Sequence, residues 1–84
     1  MGSYKDNQLT FQAAQKGTKE VMDILNNIDV NGSSYGHQIK QLKQEINEAF
    51  QQIDSALIIA SEHQKEQLKE YQSELQNIMS QIDD

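Results

Sequence analysis

Apolar residues recur along this chain at alternating steps of three and four in two long segments. In the first, Phe11, Ala14, Thr18, Val21, Leu25 and Ile28 fall on one side of a helix, with Tyr4 ahead of them. In the second, Ile39, Leu42, Ile46, Ala49, Ile53, Ala56 and Ala60 do the same. A repeat of about 3.5 residues is the seam of helices packed side by side. Leu68, Tyr71, Leu75, Ile78 and Ile82 resume the rule one residue out of phase, beyond a window without apolar residues from Ser61 to Gln67. Between the segments, Asp29-Val30-Asn31-Gly32-Ser33-Ser34-Tyr35-Gly36 gathers the residue types that accept turns. The pattern predicts one all-α domain over 1–84, an antiparallel two-helix hairpin. Helix one covers about 4–28, the loop about 29–37 and helix two about 38–82.

From His37 to Ile82 neither glycine nor proline occurs, and Glu, Gln, Lys and Leu dominate, so the second helix reads as one long rod. A bend between Ser61 and Gln67 is left open. If Ile28 stands beside Ile39, counting back along helix one puts Tyr4 level with position 63. Helix one then ends there, and the rod projects roughly another 28 Å at 1.5 Å per residue. The projecting part carries Leu68, Tyr71, Leu75, Ile78 and Ile82, and the phase slip turns that stripe away from the hairpin seam. Ala56-Leu57-Ile58-Ile59-Ala60 adds apolar residues around the whole circumference, more than one facing helix buries. Leu57 and Ile58 therefore join the distal stripe as an expected partner-binding surface, and pairing with it would complete a four-helix bundle.

Composition narrows the function. The 84 residues contain no cysteine and no proline, and 36% are hydrophobic, which suits a thin helical core and offers no disulfide or thiolate site. The net charge is −6, the seven basic residues are all lysines, and they are interspersed with Asp and Glu. Phosphate-binding surfaces need clustered Lys and Arg, so nucleic acid is excluded as a partner, and anionic membrane with it. No run approaches a membrane span, and Met1-Gly2-Ser3-Tyr4-Lys5-Asp6 has no apolar stretch of the kind a cleavable secretory signal needs. Nor does a catalytic or metal constellation emerge. His63 precedes Glu66 at helical spacing with no third ligand, and Ser33-Ser34 near His37 has nothing to orient a nucleophile. Glu45 and Glu48 are neighbours on a solvated face. The chain reads as a protein that is not an enzyme, needs no cofactor, and acts by helix pairing.

Tyr35-Gly36 places an aromatic residue and a glycine in the middle of a short, acidic, cysteine-free pair of helices. In this the chain resembles the Trp-x-Gly (WXG) helical-hairpin superfamily of type VII secretion, and in character the small helical partners of LXG toxins. The family turn is Trp-x-Gly, whereas here Tyr35 adjoins Gly36. Some of those toxin partners carry Phe-x-x-x-Asp, and Phe50-Gln51-Gln52-Ile53-Asp54 matches that string. The resemblance implies a protein that binds a toxin's helical N-terminal region and helps present it to the secretion ATPase, with Phe50 and Asp54 as an export motif. It also implies a cytoplasmic chain that is secreted without a cleavable signal. Against it stands a structural homo-oligomer or adaptor, in which the distal stripe meets a second copy.

Overall fold

The computed structural model describes residues 3–82, with side chains from Asn7 onward, so the side chain of Tyr4 and residues Met1 and Gly2 lie outside the described residues. Three helices follow one another: α1 Ser3–Asn26, α2 Tyr35–Ile59 and α3 Glu62–Ile82. No strand occurs among the described residues. The protein is a rod of 51 × 19 × 16 Å.

The heptad positions are the ones that are buried. Ala14, Thr18 and Val21 on α1 face Leu42, Ile46, Ala49, Ile53 and Ala56 on α2, and Phe11, Leu25 and Ile28 pack at the margin of the same core. Thr18 satisfies its buried hydroxyl by donating to the Ala14 carbonyl at 2.9 Å. The two helices run antiparallel. Asn7 of α1 reaches Ile59, and Gly17 lies against Ala49 and Gln52. Counting from Ile28 and Ile39 puts Asn7 level with residue 60, within one residue of where it stands. At Gly17 a Cβ would meet the movable amide end of the exposed Gln52 side chain and stand in ordinary contact with Ala49 at 3.6 Å.

The chain departs from the expected two-helix hairpin at Ala60. That residue takes an extended conformation (φ −75°, ψ 146°) and ends α2, so the rod expected over 38–82 is two helices joined by two residues. Ser61 then caps α3. Its hydroxyl accepts from the Gln64 N–H at 3.2 Å, and the Gln64 side-chain oxygen accepts from the Ser61 N–H at 3.1 Å. This reciprocal pair is a capping box, with Ser as cap and Gln three residues on. Asn7 donates to the Ile59 carbonyl, one of the acceptors left open where α2 stops.

Beyond the joint α3 folds back instead of projecting. It runs antiparallel to α2, with Gln72 beside Asp54, and parallel to α1, with Tyr71 beside Phe11. Leu68, Leu75 and Ile78 enter the same core as the α1–α2 seam, and Tyr71 and Ile82 pack against it. Burying a Leu or Ile contributes about 1.5–3 kcal/mol. Three such residues outweigh the few helical hydrogen bonds given up at Ala60 and Ser61. The third helix therefore occupies the place where an external partner was expected.

The first joint is built differently. Residues 27–34 form a loop in which the Asp29 carboxylate accepts from the Asn31 N–H at 3.1 Å, an Asx turn, and the Gly32 N–H donates to the Asp29 carbonyl at 3.0 Å. A Cβ on Gly32 would stand 2.8 Å from an Asp29 carboxylate oxygen, so the folded Asp29 side chain reserves that space.

Candidate interaction surface

Each residue singled out from the sequence has a definite place. Tyr35 and Gly36, expected to form the hairpin turn, are instead the first two residues of α2. Tyr35 is 38% exposed, and nothing beyond the helix's own backbone lies within 4 Å of where a Gly36 Cβ would be. The turn lies upstream of them. Asp29 can cap it with its own carboxylate, and the first helical bond of α2 runs from the Gln38 N–H to the Ser34 carbonyl at 2.9 Å. The aromatic-glycine turn that carried the family resemblance does not form.

The expected partner stripe divides. Leu68, Leu75 and Ile78 are buried within the chain, and Tyr71 and Ile82 are half-buried against the same core. The Tyr71 ring meets Phe11 at 6.4 Å between centroids with a 33° tilt, and its hydroxyl accepts from the Gln15 amide at 3.3 Å. Those five residues are covered by α1 and α2. Leu57 packs against the core, but Ile58 is 83% exposed and Ile59 beside it 44%. Leu9 on α1 is 56% exposed, and since Asn7 touches Ile59, it belongs to the same end of the rod. Leu9 and Ile59 were missed in the sequence: Ile59 sits inside the noted apolar run, whereas Leu9 carries no signal except that it falls off the seam.

Phe50 and Asp54 lie one turn apart on α2, along the line that α3 covers. Phe50 is half-buried next to Gln76, Met79 and Ser80. Asp54 is exposed, and its carboxylate accepts from the Gln72 amide at 3.4 Å. The two are thus part of a face built jointly by α2 and α3.

The chemistry available is that of a surface. The hollows between helices are shallow and open, and one of them, on the side of the hairpin away from α3, is lined by Thr10, Ala13, Glu48, Gln51, Gln52 and Ser55. Among the described residues no group of three or more His, Cys, Asp or Glu is placed to hold a metal ion, and no helix is long and apolar enough to cross a membrane. His63 and Glu66 stand on the exposed side of α3, and Glu62 pairs with Lys65 at 3.7 Å on the same surface. Among the described residues the exposed large apolar side chains are Leu9, Ile58 and Ile59 at the elbow end and Val30 and Tyr35 at the end of the α1–α2 loop. No protein-family model, curated protein or solved structure matches the chain.

Proposed function

We propose that this chain is a non-catalytic docking partner of type VII secretion, whose elbow end binds the helical N-terminal region of an LXG-type toxin. The observation that carries the docking part is the exposure of Ile58, Ile59 and Leu9 at one end of the rod, off the heptad seams whose own large residues are covered. Leaving a Leu or Ile in water forfeits about 1.5–3 kcal/mol each, which a partner helix recovers. Such a helix would lay its own apolar face on them. The toxin part rests on Phe50 and Asp54. Asp54 keeps its carboxylate at the surface of the two-helix face, where a secretion ATPase reads it once the partner is bound, and Phe50 anchors that face to α3. The acidic surface suits recognition by a basic receptor site.

The test is titration of the purified helical N-terminal domain of a toxin encoded beside this chain. Ile58→Gln combined with Ile59→Gln is expected to abolish binding while circular dichroism stays that of the parent, because Ile58 is 83% exposed and neither side chain is in the core. Binding that survives the double substitution removes the elbow from the reading. Asp54→Asn is expected to lower secretion and spare binding; secretion at the parental level removes Asp54.

A further inference from the structure

The joint between α2 and α3 contains nothing that forbids a helix. Ala60, Ser61, Glu62, His63 and Gln64 are all helix-compatible, and no glycine or proline occurs from His37 to Ile82. The break is held by three replaceable contacts: the Ser61–Gln64 capping box, the Asn7 side chain on the Ile59 carbonyl, and the docking of α3.

A second observation concerns phase. On α2, the residues facing α3 are Phe50, Asp54 and Leu57; on α3, those facing the hairpin are Leu68, Tyr71, Leu75, Ile78 and Ile82. Joined through Ser61 and Gln64, these positions make one uninterrupted series of four-three steps from residue 50 to residue 82. If the joint closed into continuous helix, both halves of the resulting rod, roughly 70 Å long, would present their contact faces on the same side. The acceptor face around Phe50 and Leu57 and the donor face around Leu68 and Leu75 would then be ready for a second rod lying antiparallel to the first. That is the condition for a self-complementary two-fold interface.

We infer that α3 exchanges between two copies of this chain, giving a domain-swapped dimer in which α2 and α3 are continuous and the α3 of each copy packs on the α1–α2 hairpin of the other. Every contact of α3 with the hairpin is kept, including Phe11 with Tyr71 and Asp54 with Gln72. The balance between the two states is therefore set by the joint and by concentration. Opening gives up the capping box and the Asn7 bond twice per dimer and gains the backbone bonds of two continuous helices. With no preference at the joint, exchange would set in at about millimolar chain, the effective concentration of a short connection. Ser61 and Gln64 then lie on the seam near the two-fold axis, where polar residues fix register. This inference stands apart from the toxin reading, and its test needs only the chain itself.

Two single-cysteine chains, Asp54→Cys and Gln72→Cys, are mixed across a concentration series up to millimolar and treated with a short bis-maleimide; the parent has no cysteine to interfere. A covalent heterodimer that Glu62→Pro suppresses reports α3 of one chain packed on α2 of another. In a Ser61→Ala, Gln64→Leu background, loss of the caps alone is expected to raise the dimerisation constant by about twenty-five-fold, about fivefold at each of two joints. In a Glu62→Pro background the heterodimer is expected to vanish. Residue 62 is the first of α3, where proline fits without loss, whereas inside a continuous helix it costs about a hundredfold per joint. Circular dichroism of Glu62→Pro checks that the closed form is intact. Absence of heterodimer at every concentration in the Ser61→Ala, Gln64→Leu background overturns the inference, as does a heterodimer that Glu62→Pro leaves unchanged. Dimers seen by light scattering without 54–72 cross-links also overturn it, because the copies would then meet through their outer surfaces.

Discussion

The two joints of this molecule reverse the chain by opposite means. Between α1 and α2, eight residues make the turn with turn chemistry: an Asx turn at Asp29, a β-turn closed by Gly32, and the Gln38 side chain accepting from the Asp29 N–H at 3.2 Å. Between α2 and α3, two residues do it, Ala60 and Ser61, with no glycine, no proline and no residue at positive φ. The first joint turns because its own residues favour turning. The second turns because a serine and a glutamine make leaving the helix inexpensive and because α3 has a core to enter. A connection of the first kind survives changes in its surroundings, and one of the second kind depends on what the following helix can bury.

The largest effect that tests this difference is at Leu75. Its truncation to alanine is expected to cost about 2–5 kcal/mol, since the residue is fully buried between α3 and the hairpin. Thermal melting followed by circular dichroism should show one transition, shifted well down. Two transitions, with the hairpin melting where the parent does, would mean that α3 is an appendage and that the joint has no core to answer to.

A smaller loss is expected at the cap. Ser61→Ala removes the acceptor for the Gln64 N–H and should lower stability of the monomer by about 1 kcal/mol, or about 4–8 °C in melting temperature for a domain of this size. An unchanged melting temperature at low micromolar concentration would show that burial alone holds the elbow.

The smallest effects are of opposite sign at two glycines four residues apart. Gly32→Ala should destabilise by about 1 kcal/mol, because the new Cβ displaces the Asp29 carboxylate that holds the turn. Gly36→Ala should stabilise by about 0.5–1 kcal/mol, since Gly36 is helical with open space around it. If both substitutions destabilise, the turn extends to Tyr35-Gly36 after all.

The seams were legible in the sequence because a three-four repeat depends only on which residues must be dry. Leu42, Ile46, Ala49, Ile53 and Ala56 are the buried line of α2, and Val21, Thr18 and Ala14 face them. The loop was legible in composition but displaced in position: Tyr35 and Gly36 look like turn residues, yet Asp29 and Gly32 close the turn first and leave them to the helix. At the elbow the clue was present in Ser61-x-x-Gln64 and in the window without apolar residues. Neither decides by itself, since Ser61 to Gln67 is equally able to continue a helix. The candidate site followed the same division. Ile58 was legible as surplus apolar surface; Leu68, Tyr71, Leu75, Ile78 and Ile82 were legible as a stripe in search of a partner, but the partner is the chain's own hairpin.

By itself, then, the sequence determined that the chain is helical, where its helices pack, and that it carries more apolar surface than two helices can cover, because these follow from local propensity and the spacing of residues that avoid water. Only the tertiary structure decided that the distal stripe of Leu68, Leu75 and Ile78 is met from within. The choice between a straight rod and a fold at Ala60 weighs a few backbone hydrogen bonds against the burial of Leu68, Leu75 and Ile78, and that burial exists only once α1 and α2 have built the surface that receives them.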